Sequence, residues 1–220
     1  MKKLIIWDWN GTLLDDVDAA FRAMNAMLAK RGLPLLSGLG QYREIFTFPV
    51  QDYYAAAGLD LEQESFEELA VEWTRLYRQL YPGCGLYPGA RETVRVLKEA
   101  GACQVIVSAS QQQALDAQVR EQGLDRYFQT ILGISDIYAR GKAGLAGEYL
   151  QRQGIAPNQA LLVGDTLHDW EVAQEAGCGC VLVAQGHQSR GLLETSGAAV
   201  LDEIGQVPGW IAGEKGKNNG

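Results

Sequence analysis

The sequence predicts an α/β fold: a doubly wound, Rossmann-like parallel sheet with an inserted α-helical cap. Short apolar runs recur along the chain, and most of them are followed by a turn and then a helical pattern. Runs of roughly 4–8 apolar or β-branched residues are typical of strands buried on both faces of a parallel sheet. One segment, 16–82, has helical patterns and no clear strand pattern. The alternation predicts the sheet, and the helical segment predicts an insert in it.

Length, composition and charge are compatible with this fold and narrow the class of partner. The chain has 220 residues, of which 47% are hydrophobic and 21% charged. At roughly 100–200 residues per domain, this length suits one large domain or one domain with an insert. Asp and Glu (27) outnumber Lys and Arg (19), which gives a net charge of −8. We therefore expect no nucleic acid and no anionic membrane as partner, whereas a small anionic substrate remains compatible with a locally positive cleft.

Neither a membrane span nor a secretory signal is expected. The apolar stretch 4–7 meets Asp8 at once, and it is shorter than the roughly 7–15 apolar residues of a secretory signal. No apolar run reaches the ~18 residues that a membrane span needs. The four cysteines match no zinc-binding spacing, so we expect reduced thiols and a cytoplasmic location.

The strands of the sheet are predicted in order along the chain. Two helices between them, 91–100 and 169–176, end at Gly101 and Gly177, which are typical helix C-terminal residues. In a parallel sheet of this kind, ligands bind beyond the carboxyl ends of the strands. The predicted strands are 3–7, 104–107, 130–132, 160–163, 180–183 and 198–201.

The segment 16–82 is predicted to be a helical cap between core segments 1–15 and 83–220. Val17, Phe21, Met24 and Leu28 recur at helical spacing, and a second long amphipathic pattern covers 66–80. Between them, a loop at 46–50 precedes a short helix that ends near Gly58. Tyr42, Arg43, Phe46 and Phe48 are candidates for the cap surface that faces the core.

The first strand ends in a group of residues that suits phosphoryl chemistry. Asp8 follows the buried run directly and is followed by Asn10, Gly11 and Thr12. A carboxylate at this place can act as a nucleophile and form an aspartyl-phosphate. The backbone N–H groups of the turn and the Thr12 hydroxyl can hold anionic oxygens.

Three other segments bring complementary residues to the same edge. Ser108 and Ala109 follow the second strand, and Asp165 and Asp169 follow the fourth. Together with Asp8, these two carboxylates suit a hard cation such as Mg²⁺. Lys142, at the start of a predicted helix, can neutralise a phosphate and the nucleophile together.

The four segments DWNGT, VIVS, GK and GDTLHD, in this order, resemble the haloacid dehalogenase superfamily. The segments 86–90 and 97–101 resemble its phosphoglycolate-phosphatase-like branch. The resemblance covers essentially the whole chain. It implies an Mg²⁺-dependent phosphohydrolase that acts on a small phosphorylated metabolite, as a monomer or a homodimer.

The resemblance also implies a role for each matched residue. Asp8 would be the nucleophile, and Mg²⁺ would be bound by Asp8, Asp165, Asp169 and the backbone carbonyl of Asn10. The phosphoryl group would be held by Gly11, Thr12, Ser108, Ala109 and Lys142. Arg43 of the cap is a candidate to pair with a second anionic group of the substrate.

Asn10 departs from the family pattern, in which an Asp at this place is the general acid/base. An amide can form hydrogen bonds but cannot act as a general acid or base at neutral pH. Loss of a general acid/base typically lowers the rate about 10²–10⁴-fold. The substrate could have a good leaving group, or another residue could supply the proton: Asp15, Asp16, His168 or His187. Alternatively, the chain could be a catalytically weak phosphate-ester binding protein. Deamidation of Asn10, or an Asp-to-Asn change introduced by design, would also account for the amide.

Two other branches of the superfamily also lack this Asp. Dehalogenases attack carbon and use no Mg²⁺, so the pair Asp165 and Asp169 favours phosphoryl chemistry over theirs. Phosphonoacetaldehyde hydrolases use a lysine of the cap as a Schiff base. The only lysine in 16–82 is Lys30, on a helix flank, where a solvated side chain is the stronger interpretation.

Overall fold

A six-stranded parallel sheet forms the centre of the protein, in the order β5-β4-β1-β6-β7-β8. The computed structural model describes residues 4–135, 142 and 144–217. This sheet confirms the predicted doubly wound α/β fold. The strands are β1 Leu4–Trp7, β2 Leu14–Asp15, β3 Gly85–Leu86, β4 Cys103–Gln111, β5 Thr130–Ile134, β6 Ala160–Gly164, β7 Gly179–Val183 and β8 Ala199–Leu201.

The helices lie on both faces of the sheet and in the segment between β2 and β3. The helices predicted at 91–100 and 169–176 are found as α5 and α8, within one or two residues at each end. In chain order the helices are α1 Val17–Lys30, α2 Leu39–Ile45, α3 Val50–Ala56, α4 Phe66–Leu80, α5 Ala90–Glu99, α6 Gln112–Glu121, α7 Leu145–Gln153, α8 Leu167–Ala176, α9 Arg190–Glu194 and α10 Val207–Lys217.

The central strand β1 explains why the functional residues converge. Successive side chains of a strand point to opposite faces, so Ile5 and Trp7 pack in one apolar cluster and Leu4 and Ile6 in another. Trp7 is in register with Ile106 of β4 and with Val163 of β6. The residues that follow these three strands therefore emerge side by side at one edge of the sheet.

Helices α1 to α4 enclose an apolar cluster of their own, which includes Met24, Tyr42 and Leu69. Helix α4 begins with a capping box in which Ser65 and Glu68 bond each other's backbone N–H groups. Helix α2 was not predicted, because it has only 7 residues and includes Gly40. The division into a core and a cap stays a prediction that this second cluster supports.

A short antiparallel pair joins the helical segment to the sheet. Leu14 and Asp15 of β2 pair with Leu86 and Gly85 of β3. Both chain connections therefore leave the sheet at the same place. A two-residue strand has no periodicity, which is why the sequence did not indicate it. Elsewhere, the four cysteines are free thiols, and no helix in the described residues is long and apolar enough to cross a membrane.

Candidate active site

Three buried carboxylates meet at the carboxyl edge of the sheet. Asp8 follows β1, Asp165 follows β6 and Asp169 lies in the first turn of α8, and each offers an oxygen within 4.8 Å of the other two. Asp169 is held by a capping box, because its Oδ2 accepts a hydrogen bond from Thr166 N (3.0 Å) and its own N–H donates to Thr166 Oγ1 (3.3 Å). Strand register and the capping box of α8 thus position the three carboxylates before any ligand binds.

Lys142 lies among these carboxylates. Its Nζ contacts Asp8 Oδ1 and lies 2.6 Å from Asp169 Oδ1. Burial alone would lower the pKa of Lys142, but Asp169 and Asp8 raise it above its ordinary value, so the ammonium stays charged.

One ammonium does not balance three buried carboxylates. Burial, together with repulsion from Asp169 and Asp165, raises the pKa of Asp8 despite its contact with Lys142. Burial also raises the pKa of Asp165, although the charge of His187 opposes this. The donor set consists of hard oxygens, and a divalent cation bound there would offset the excess negative charge. The residues present therefore fit a Mg²⁺-type cation.

The turn after β1 approaches these carboxylates closely. The Thr12 hydroxyl donates a hydrogen bond to Asp165 Oδ1 at 2.7 Å. Gly11 has a φ of 72°, and a Cβ atom there would clash with Asp165 Oδ2 and with the His187 ring. Only glycine avoids both the strain of positive φ and this clash.

The amide of Asn10 is held at both ends. Its Nδ2 donates to Asp16 Oδ2 (2.8 Å) and to Tyr77 Oη (3.1 Å), and its Oδ1 accepts from Ser110 Oγ (2.6 Å). Tyr77 Oη in turn donates to Asp16 Oδ2 at 2.7 Å. A carboxylate at position 10 would set an oxygen against Asp16, so this network favours an amide.

A buried ion pair lies beside this network. His187 Nε2 is 3.4 Å from Asp16 Oδ1, and its Nδ1 is 2.7 Å from Tyr42 Oη. Burial alone would lower the pKa of His187, but Asp16, Asp165 and Asp8 raise it to about 9. Burial likewise opposes ionisation of Asp16, yet His187 and the hydrogen bonds of Asn10 and Tyr77 keep its pKa below the ordinary value. Both partners are therefore charged at neutral pH.

This pair predicts a pH dependence of stability in EDTA-treated protein. Because the pKa of His187 rises on folding from 6.5 to about 9, its contribution is fully present below about pH 6.5. It is lost as the pH rises through about 9. We expect the free energy of unfolding of wild type to exceed that of His187→Gln by roughly 3 kcal/mol at pH 6, and the difference to shrink between about pH 6.5 and pH 9.

Chemical denaturation at a series of pH values measures this difference. Tyr42→Phe is the matched control, because it removes the hydrogen bond to Nδ1 and keeps the ion pair with Asp16. It should retain the pH dependence of wild type. A gap between wild type and His187→Gln that stays constant from pH 6 to 10 would contradict the assignment of a buried imidazolium.

A cavity of about 190 Å³ extends from Asp8 into the helical segment. Ser108, Ala109 and Lys142 line it, and so do Phe46 and Phe48 of the segment 16–82. His168 also lines the cavity.

The comparison with known proteins is decisive about the family. Residues 5–183 match the sequence pattern of the family described as haloacid dehalogenase-like hydrolase. The chain belongs to this family. Phosphoglycolate phosphatase of Pseudomonas savastanoi pv. phaseolicola is 28% identical, over 96% of this chain and 80% of that protein. Phosphoglycolate phosphatase of Rhodobacter capsulatus is also 28% identical, over 97% and 98% of the two chains.

A solved structure shows the same fold. A haloacid dehalogenase-like family hydrolase from Streptococcus pneumoniae superposes with a TM-score of 0.78, at 21% identity, over 95% of this chain and 98% of that one. These findings confirm the predicted likeness to the phosphoglycolate-phosphatase-like members of the family.

Arg43 does not join the other predicted site residues of this hydrolase. Its Nε and Nη2 donate to the carbonyl oxygens of Gly186 and Gln185, each at 2.9 Å. It is not among the described residues that line the cavity. With its donors bound to backbone, Arg43 ties α2 to the loop after β7, and the structure does not support its predicted contact with substrate.

The residues around Asn10 were only partly predicted. Of the suggested proton donors, Asp16 and His187 lie in the site, whereas Asp15 is exposed on β2. Tyr77 and Ser110 were not singled out for this network. Tyr77 has the helical spacing of an ordinary packing residue, and only its position opposite Asn10 reveals its polar role. The Ser-Ala-Ser run after Val107 was the one available signal for Ser110.

Proposed function

We propose that this hydrolase is an Mg²⁺-dependent phosphatase that acts on a small phosphorylated metabolite through an aspartyl-phosphate on Asp8. One observation carries the proposal: the Asp8 carboxylate lies at the end of β1, in contact with Lys142 and beside Asp165 and Asp169, and it lines the cavity. The names of the similar phosphoglycolate phosphatases support the class of reaction.

The chain's own residues suit each part of this reaction. An oxygen of Asp8 attacks the phosphorus as the bond from phosphorus to the ester oxygen breaks, and the substrate's alcohol departs. Lys142, Ser108 and the turn at 11–12 hold the phosphoryl oxygens meanwhile. Asp8, Asp165, Asp169 and the backbone carbonyl of Asn10 would hold Mg²⁺, which would supply positive charge next to these oxygens. Water then cleaves the phosphoryl group from Asp8 and regenerates the carboxylate. Helices α1 to α4 act as the cap that keeps bulk water out.

Proton transfer is the step that Asn10 alters. Its amide cannot protonate the leaving oxygen, and its hydrogen bonds to Asp16, Tyr77 and Ser110 support a resident amide rather than a site of deamidation. Asp16 is ionised and paired with His187. We therefore expect the rate to depend steeply on the acidity of the leaving group.

The test is Mg²⁺-dependent phosphate release from acetyl phosphate, aryl phosphates, phosphoglycolate and sugar phosphates. We expect phosphate release to be faster from activated esters than from alkyl esters. The ratio of the two rates should exceed their ordinary difference in reactivity by about 10²–10⁴-fold. Asn10→Asp should narrow this gap, because a carboxyl group beside Asp16 can carry the proton. Asn10→Ala, which also removes the amide, should not.

The second candidate function is a catalytically weak phosphate-ester binding protein, which the occupied hydrogen bonds of Asn10 favour. Binding of phosphate and Mg²⁺ without release from any ester would support it and would overturn the phosphatase. Equally fast release from activated and alkyl esters would instead mean that another residue supplies the proton.

A further inference from the structure

We propose that the cavity selects a phosphoric monoester whose organic group is an aromatic ring, an aryl or arylmethyl phosphate, rather than a second anionic group. Turnover of such an ester rests on the phosphatase function proposed above, whereas the binding preference does not.

Six aromatic side chains in the described part of the chain line the cavity that Asp8 also lines. They come from the α2–α3 connection, from α3 and from α4, and they face the sheet edge that carries Asp8. The aromatic residues are Phe46, Phe48, Tyr53, Tyr54, Trp73 and Tyr77. The whole cavity, including its polar end at Asp8, measures about 190 Å³; an apolar cavity of ~150 Å³ binds benzene in another protein.

Several of these rings are already fixed by stacking. Trp73 and Tyr77, one turn apart on α4, lie parallel with centroids 4.9 Å apart and an interplanar angle of 12°. Phe48 stacks on His168 with centroids 4.7 Å apart. Rings held in this way offer a flat ligand stacked or edge contacts without first losing rotational freedom.

The charged groups argue against a second anion on the substrate. Among the described lining residues, Lys142 is paired with Asp8 and Asp169, His187 with Asp16, and His168 lies 3.3 Å from Glu171. Arg78 also lines the cavity but is exposed to solvent, so an ion pair with it would be screened by water and weak. A carboxylate among the rings would therefore be desolvated without a buried partner, which is unfavourable.

Binding of three phosphonates to the Mg²⁺-loaded protein, measured by calorimetry, tests the preference. Their P–C bond is not hydrolysed, so binding is read without turnover. We expect benzylphosphonate to bind about 10-fold more tightly than butylphosphonate, since stacking adds to the apolar area. Phosphonoacetate should bind at least about 10-fold more weakly than benzylphosphonate. Equal affinity for benzyl- and butylphosphonate, or tightest binding of phosphonoacetate, would overturn the proposal.

Trp73→Leu identifies the responsible surface. Trp73 Nε1 has no hydrogen-bond partner among the described residues, so this change removes ring surface without breaking a hydrogen bond. We expect it to weaken the binding of benzylphosphonate about 5-fold. The affinities for butylphosphonate and inorganic phosphate should stay within about 2-fold of those of wild type. Trp210→Leu, on α10 and outside the cavity, is the matched control. If Trp73→Leu does not fold, Phe48→Leu serves the same purpose.

Turnover separates this inference from the proposed function. Benzyl and butyl phosphate both release a primary alcohol. A higher kcat/KM for benzyl phosphate would therefore come from contacts of its ring with the cavity rather than from a more acidic leaving group. A benzylphosphonate preference without hydrolysis of any ester would support the aromatic site and reject the phosphatase. Hydrolysis of both esters with equal kcat/KM would support the phosphatase and reject the aromatic site.

Discussion

Asp8→Asn is expected to reduce Mg²⁺-dependent phosphate release by about 10⁴-fold or more, because the amide cannot form the aspartyl-phosphate. Release of inorganic phosphate from the best ester of the panel measures the loss. Folding should be preserved. The change removes the charge of one of three buried carboxylates that repel one another, so the metal-free variant should melt no lower than wild type.

Asp15→Asn is the matched control for this prediction. Asp15 is exposed on β2 and does not line the cavity, so the same chemical change there should leave the rate within about 2-fold. Unchanged turnover in a folded Asp8→Asn protein would reject Asp8 as the nucleophile and, with it, the proposed reaction.

Chelation of the metal is expected to have the second largest effect. We expect EDTA to lower phosphate release by about 10³-fold or more and added Mg²⁺ to restore it. Without the cation, an incoming phosphoryl anion meets three buried carboxylates, of which Lys142 contacts Asp8 and Asp169. The same cation should raise the melting temperature, because it binds only the folded cluster.

Asp165→Asn provides a second measurement that does not depend on turnover. Its melting temperature should respond to Mg²⁺ much less than that of wild type, because one of the three carboxylates is lost. Full activity in EDTA would point instead to metal-independent attack at carbon, as in the dehalogenases. A melting temperature that Mg²⁺ raises equally in both proteins would place the cation elsewhere.

Local patterns were enough to predict the sheet and the residues at its edge. The run before Asp8 and the run before Asp165 are apolar without alternation, as strands buried on both faces require. Parallel strands align their carboxyl ends, so residues that directly follow neighbouring strands must meet. That rule needs no side-chain detail, and it is why the sequence predicts Asp8 and Asp165 at the same edge. Ser108, predicted to follow the second strand, lies within β4, which continues to Gln111.

The arrangement around Asn10 could not be predicted in this way. Its partners Tyr77, on α4, and Ser110, on β4, are far apart in the sequence, and both reach Asn10 only in the folded chain. Whether a charged side chain faces a substrate also depends on which acceptors lie nearby. Arg43 has the composition of an anion-binding residue, but the carbonyl oxygens of Gln185 and Gly186 take its donors.

The class of fold and the chemistry at the strand ends thus follow from spacing along the chain, because regular strands and turns translate sequence order directly into position. Contacts between the helical segment and the sheet edge decide the charge state of His187, the hydrogen bonds of the Asn10 amide and the shape of the aromatic cavity. Desolvation and pairing act over a few ångströms between residues distant in sequence, and only the packed structure brings those residues together.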